Sequence, residues 1–443
     1  MKYWIATFML TISMNLFSQS LSDKIDQYIS SYTQTNDFSG NVLIVQKDSV
    51  VFAKSYGDAN VAFQVQNQEM TRFKIGSISK QFTAAAIMKL EEAGKLQITD
   101  TLSKYFPQYP NAKQVTIHQL LTHTSGVVDI FALPDFSQLS CSNTSLSELA
   151  GLLLSHQLES TNQYQYSNGG YAVLAQLIEQ VSGKDYGDYL KATIFDTLEM
   201  NATGHDQQGV IVENLAVGYN PKGYDGLELA KQVDSELMKG SGSLYSTTQD
   251  LLKWINALQK GTFFSQAQTD TFFKDDGNGY GYGISVYKSF GRDVFGHDGR
   301  INGYIADYLH YKDDDISVII LGNIQTGVAD FLRRDLAAIL FDKEYHSRAK
   351  TFAGADQYPP NAEDLLGGYA FGPNFTVYVE YVGGLIKARA NEGGYSELVP
   401  LQDGRFFSRT LYAFIDFVAD DNGRVEKMIW TNNDGNVFEG IKK

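Results

Sequence analysis

Apolar positions change rhythm several times along this chain. Two short strand-like runs, Asn41 to Val45 and Val50 to Ala53, flank a Lys47-Asp48-Ser49 turn, which predicts a hairpin. A helix is expected before it, over Ser22 to Thr35. Another should open at Ser77 and end near Gly94, with Phe82, Ala85, Ile87, Met88 and Leu90 as its apolar residues. From about 98 to 275 the period is mainly helical: Ile117 to Leu121, Leu146 to Leu154, Tyr171 to Val181 and Leu251 to Leu258. The third of these stops at Ser182-Gly183, a C-cap signal. Strand-like runs return at Tyr280 to Tyr287, Asp293 to Gly296, Tyr304 to Tyr311 and Ile316 to Leu321, and Val328 to Leu340 reads as a closing helix.

Both ends of this region supply strands and the middle supplies helices. The expected fold class is α+β: one antiparallel sheet completed by segments far apart in sequence, with a helical subdomain inserted and a ligand cleft between the lobes. Residues 343 to 362 are polar, contain Pro359-Pro360 and read as a linker. From 363 to 443, alternating runs (Phe375 to Tyr381, Leu385 to Ala390, Tyr412 to Val418, Val425 to Thr431) are separated by Gly383-Gly384, Asp403-Gly404, Asp421-Asn422-Gly423 and Asp434-Gly435. Such turns at regular spacing predict a separate antiparallel β domain, a small barrel or meander. The first twenty residues stand apart. A Lys2 start, an apolar run from Tyr3 to Phe17 and small Ser18 and Ser20 before Leu21 form a signal-peptide pattern. The expected organisation is therefore a signal peptide at 1–20, a main domain at 21–342, a linker at 343–362 and the β domain at 363–443.

Export places the chain in the periplasm or outside the cell, with no membrane-spanning segment once the signal is removed. Cys141 is the single cysteine, so no internal disulfide and no cysteine-built metal site is available. The net charge of −15, without a clustered Lys/Arg patch or a P-loop, argues against a nucleic-acid partner.

Candidate chemistry begins at Ser77, three residues before Lys80. On a helix, i and i+3 share a face, so both side chains can enter one cavity. The spacing recurs at Ser285/Lys288, in a strand-like run that would put the pair on opposite faces, and at Ser347/Lys350, in the polar linker. Only Ser77 opens a long amphipathic helix. A hydroxyl needs a base to become a nucleophile. Lys80 can serve if burial and a neighbouring positive charge lower its pKa from about 10.4; a tyrosine beside it can serve equally, because the cation favours phenolate. Tyr166-Ser167-Asn168 is placed for that, just before the helix near Gly170; Tyr109-Pro110-Asn111 repeats the spacing in a proline-flanked turn. His297-Asp298-Gly299-Arg300 ends a strand signal. There a glycine would let a substrate lie against the strand, and the Arg300 amide could join the Ser77 amide as oxyanion donor. The other six histidines read as structural, including His205 in a similar Gly204-His205-Asp206. The plain alternatives are a first-turn serine with a solvated lysine, and a half-buried tyrosine among 27. No His-Glu-x-x-His or Gly-x-Ser-x-Gly is present, which disfavours a helical zinc protease and an α/β-hydrolase.

Ser77-x-x-Lys80, Tyr166-x-Asn168 and His297-x-Gly299, in that order, resemble the class C-type branch of the serine β-lactamase and penicillin-binding protein superfamily. Phe38 to Ile44, Leu120 to Gly126, Gly242 to Ser246 and Val318 to Asn323 support the likeness, which covers roughly residues 22 to 342. The resemblance implies an exported serine hydrolase with no metal or other cofactor. Ser77 would be acylated, Lys80 and Tyr166 would share proton transfers, and Asn168, His297, Gly299 and Arg300 would bind the substrate. Small peptides, amides, esters or β-lactams are the implied substrates, with D-amino-acid peptidase, carboxypeptidase or esterase activity and weak β-lactamase activity. The sequence departs from the pattern where His297 replaces the lysine of penicillin-recognising members. A neutral imidazole beside Asp298 would bind a β-lactam carboxylate less well. That departure and the appended β domain also fit a non-catalytic binding or sensor module on the same fold.

Overall fold

The computed structural model describes residues 20–133, 139, 144–373, 375–391 and 393–443. The expected signal segment, except Ser20, and Cys141 lie outside the described residues. The main sheet has six strands: β1 (Gly40–Gln46) and β2 (Ser49–Tyr56), then β3 (Ser285–Ser289), β4 (Arg292–Ile301), β5 (Tyr304–Tyr311) and β6 (Ile316–Gly322). Their order is β3-β4-β5-β6-β1-β2, antiparallel throughout. The seam between distant segments is β1 against β6, from Gly40 opposite Gly322 to Gln46 opposite Ile316. The α+β expectation holds.

Alternating side chains divide this sheet into two faces. Val42, Ile44, Val294, Ile305 and Ile320 pack with α1 (Leu21–Thr33) and α4, the closing helix Val328–Leu340. Leu43, Phe295, Tyr308, Ile319 and Leu321 join the larger core that contains α2 (Ser79–Glu92) and α3 (Asn168–Ser182). α2 was expected to be amphipathic; instead every residue from Ser79 to Met88 is buried. Ala84, Ala85 and Ala86 keep the helix slim, and Gln81 Oε1 accepts from Trp254 Nε1 at 2.7 Å and from Tyr308 at 2.6 Å. A helix enclosed on all sides holds whatever it carries rigidly.

Three expected elements differ. The strand expected from Tyr280 begins only at Ser285, because Gly279 and Gly283 take left-handed φ values of +71° and +70°. A Cβ on Gly283 would lie 2.6 Å from the Lys80 carbonyl oxygen, so this turn presses against α2. β4 runs past Gly296 to Ile301 and so carries His297 to Arg300 on a regular strand. The middle region also contains a hairpin, Tyr219–Lys222 with Gly226–Leu229, and Leu244–Ser246 pairs with Phe73–Lys74.

Beyond Ala362, nine short strands form one antiparallel sheet. The strands at its two ends, Ser396–Glu397 and Val399–Pro400, adjoin in sequence, so the sheet curls toward a closed barrel around Tyr369, Val379, Ile386, Phe406 and Met428. A buried ionic cluster ties it to the rest of the chain. Asp37 accepts from Arg409 Nε at 2.8 Å and from Tyr412 at 3.1 Å, and Lys350 Nζ lies 3.2 Å away. No helix among the described residues is long and apolar enough to cross a membrane.

Candidate active site

Ser77 lies in a 3-10 turn, Gly76–Ile78, that runs directly into α2, rather than in the α-helix itself. The i, i+3 geometry survives, since such positions eclipse in a 3-10 turn. Lys80 Nζ is 3.0 Å from Ser77 Oγ, 2.8 Å from Asn168 Oδ1 and 2.8 Å from the Ser241 carbonyl oxygen. It also lies 4.8 Å from the Tyr166 ring centre and 5.6 Å from that of Tyr171. The lysine is fully buried, and burial pushes its pKa down to about 7 against the pull of the Asp129 and Asp298 carboxylates.

Tyr166 and Asn168 reach the site through the start of α3. Ser167 caps that helix, its hydroxyl accepting from Gly170 N at 3.0 Å. Asp129 Oδ2 accepts from both Asn168 N, at 2.7 Å, and Asn168 Nδ2, at 2.9 Å. That fixes the amide with its oxygen toward Lys80. The Tyr166 phenol is driven above its ordinary pKa range by burial, opposed by a hydrogen bond with Ser77. The His123 ring packs tilted against Tyr166 with ring centres 4.3 Å apart, and its Nδ1 accepts from Ser167 N at 3.1 Å. His123, one of the six histidines read as structural, is thus a member of this cluster, as are Asp129, Ser241 and Tyr280. Sequence reasoning missed these roles; the only signal was that His123 falls in the Leu120-to-Gly126 segment.

β4 forms the facing wall. His297 is buried; its Nδ1 is 2.5 Å from the Asp298 carbonyl oxygen and its Nε2 2.9 Å from the Tyr280 hydroxyl. These partners assign the proton to Nδ1, with Nε2 accepting from Tyr280. Burial holds the imidazole down at about 4, against the pull of Asp298, so it is neutral well below pH 7. Asp298 and Arg300, alternating with His297 and Gly299, belong to the opposite face, and Arg300 pairs with Asp330 of α4. Arg300 therefore offers the Ser77 site its backbone and not its charge. Gly299 also differs from expectation. A Cβ there would meet the Ile75 carbonyl oxygen at 2.0 Å, so glycine is required for β4 to approach the Ser77 turn rather than to admit a substrate. Gly76, at φ +49°, is the reciprocal contact: its Cβ would lie 2.8 Å from Arg300 N. The Ser77 turn and the Arg300 amide are thereby clamped together.

The other candidates fall elsewhere. Lys288 forms an exposed ion pair with Asp293, Lys350 joins the Asp37 cluster, Asn111 donates to the His156 carbonyl, and His205 sits in a short strand.

With that geometry in hand, the β-lactamase family profile matches residues 25–343 of the chain. The chain belongs to the β-lactamase family. This β-lactamase-family protein is a serine hydrolase. A penicillin-binding protein of Bacillus subtilis (strain 168) is 28% identical over 448 residues, spanning 92% of this chain and 96% of that protein. Teichoic acid D-alanine hydrolase of Staphylococcus aureus is 27% identical over 307 residues, 68% of this chain and 73% of its own. The octameric penicillin-binding protein homologue from Pyrococcus abyssi superposes over 95% of this chain and 99% of that one with a TM-score of 0.64; at 23% identity the likeness is one of fold.

Two substitutions test this arrangement. Asp129→Ala releases the Asn168 amide and removes a carboxylate that raises the Lys80 pKa. Turnover is expected to fall about 10²-fold from misplacement, with the acid limb of the pH profile moved to lower pH. An unmoved limb would contradict the Asp129–Lys80 interaction. Gly299→Ala is expected to cost both activity and thermal stability, because two backbones must separate. Full activity in that variant would mean the contact is dispensable.

Proposed function

We propose that Ser77 is the nucleophile of an acyl-enzyme mechanism in which neutral Lys80 is the base. The observation that carries this is the threefold anchoring of Lys80 Nζ. Asn168 Oδ1 and the Ser241 carbonyl can only accept, so they fix two of its hydrogens. When the ammonium loses its third proton, the lone pair is left pointing at Ser77 Oγ, 3.0 Å away. With a pKa of about 7, that form is well populated at neutral pH. The lysine then takes the Ser77 proton as Oγ attacks the substrate carbonyl. The Ser77 and Arg300 amides stabilise the oxyanion. Tyr166, whose burial keeps the phenol protonated, hands a proton to the leaving amine or alkoxide and takes one back from the Lys80 ammonium, which returns the lysine to its neutral form. Water later attacks the acyl-Ser77 carbonyl along the reverse proton path, releasing the acid and restoring the serine.

The substrates proposed are amides or esters of D-amino acids. The D-alanine hydrolase named among the relatives supports that class. Neutral His297, with both ring nitrogens engaged, supports low β-lactamase activity, since it offers no cation to a β-lactam carboxylate. Export rests on the pattern of residues 1–20. A panel of D- and L-alanyl p-nitroanilides and esters with nitrocefin tests the class: Ser77-dependent hydrolysis is expected to favour the D-series and leave nitrocefin nearly untouched. Preference for the L-series, or efficient nitrocefin turnover, would overturn the substrate assignment.

A further inference from the structure

The barrel does not close flush against the hydrolase domain. Between them lies a cavity of about 360 Å³, within the roughly 300–1,000 Å³ typical of small-molecule sites. None of Ser77, Lys80, Tyr166 or Asn168 lines it. Its floor is the inner face of the barrel, made by Val377, Ala388, Ile415 and Met428. Cross-strand partners share a face, and Val377 pairs with Ala390 while Ile415 pairs with Trp430. Ala390 and Trp430 therefore continue the same apolar surface to the barrel mouth.

The opposite wall belongs to the hydrolase domain and includes Asn302, from the turn between β4 and β5, and Gln325. Both side chains are fixed: Asn302 Nδ2 donates to the Lys231 carbonyl at 2.8 Å, and Gln325 Oε1 accepts from Gly303 N at 2.8 Å. Trp430 is the feature that points to a ligand. Its indole N–H is buried and finds no acceptor among the described residues, although the ring packs against Phe371 and Phe438. A buried donor left unpaired is unfavourable, and an acceptor brought into the cavity would satisfy it.

We propose that this barrel mouth binds a small apolar molecule bearing one hydrogen-bond acceptor. An aromatic or branched aliphatic group would rest on Val377, Ala388, Ile415 and Met428, and a carbonyl, carboxylate or sulfonate oxygen would accept from Trp430 Nε1. Such a ligand touches both domains. It would also brace the turn that starts two residues after Arg300.

8-Anilinonaphthalene-1-sulfonate is a suitable probe, titrated into the full chain labelled with ¹⁵N at tryptophan. The chain has three tryptophans, so the Trp430 indole signal is identified by its loss in Trp430→Phe. The expected result is a saturable shift of that signal with the Trp254 signal unmoved, and a rise in thermal midpoint with probe concentration. By fluorescence, Trp430→Phe should weaken binding about fivefold, as losing one hydrogen bond of ~1 kcal/mol requires. Ala388→Leu, which fills the floor, should abolish binding. Ser77→Ala should bind as the wild type does. A Trp430 signal that stays fixed through millimolar probe, equal affinity in Trp430→Phe, or binding lost in Ser77→Ala would each overturn the proposal. Trp430→Phe carries the test if Ala388→Leu fails to fold.

Discussion

Lys80→Ala is expected to lower Ser77 acylation on the order of 10³-fold, within the range of general-base contributions. The loss should exceed that of any neighbour except Ser77 itself, because no other described group is hydrogen-bonded at once to Ser77, Asn168 and Ser241. A pH signature accompanies it. Burial has lowered the lysine pKa, so the reactive neutral form is scarce below about 7 and grows above it. Wild-type acylation should therefore rise with pH through about 7 and then level off. His297, held near 4, is already neutral there and contributes nothing to this limb. His297→Gln should keep the limb in place even as it disturbs Tyr280. A limb that vanished in His297→Gln would assign the titration to the imidazole instead.

Asp37→Ala should be the most destabilising single change in the chain outside the main core. Asp37 is fully buried, as are the Arg409 guanidinium and the Lys350 side chain that face it. Arg409 also donates to the Asn36 and Gly226 carbonyls, each at 2.6 Å. Burial pushes Lys350 down to about 8, with Asp37 the strongest opposing pull. Removing the carboxylate would leave the buried guanidinium without its counter-charge and would favour the neutral form of Lys350. Breaking one side of a buried pair costs about 3–5 kcal/mol. The expected outcome in urea unfolding is a loss of that size, or an early transition as the barrel detaches. Asp37→Ala combined with Arg409→Met should recover part of it. Wild-type stability in Asp37→Ala would mean the cluster does not fasten the barrel.

Much of this was legible from the order of residues, for identifiable reasons. β1, β5 and β6 announce themselves because buried strands read as apolar runs, and Asn41-to-Val45 and Ile316-to-Leu321 are such runs. Ser77 and Lys80 come together because their contact is local. Contacts that span the chain were not legible. Asp129 reaches Asn168 across 39 residues, and Asp37 meets Arg409 across 372. No periodicity encodes such pairings. Lys350 illustrates the cost: it falls in a polar stretch that reads as a linker, and nothing there signals that its side chain is buried against Asp37. Tyr280 was read as a strand residue because Tyr280 to Tyr287 alternates. Gly279 and Gly283, both left-handed, break that strand, and the freed tyrosine turns its hydroxyl to His297. Gly299 was assigned to substrate access, yet the space it leaves is taken by Ile75, a contact only the assembled sheet reveals.

The most direct test of Ser77 as nucleophile with neutral Lys80 as its base is the rate of covalent labelling by a fluorophosphonate. It is followed by intact mass from pH 5.5 to 8.5. One adduct per chain is expected, absent in Ser77→Ala, forming faster as pH rises through about 7, with that dependence lost in Lys80→Ala. An adduct that persists in Ser77→Ala, or a rate that stays flat across that range, would contradict the mechanism.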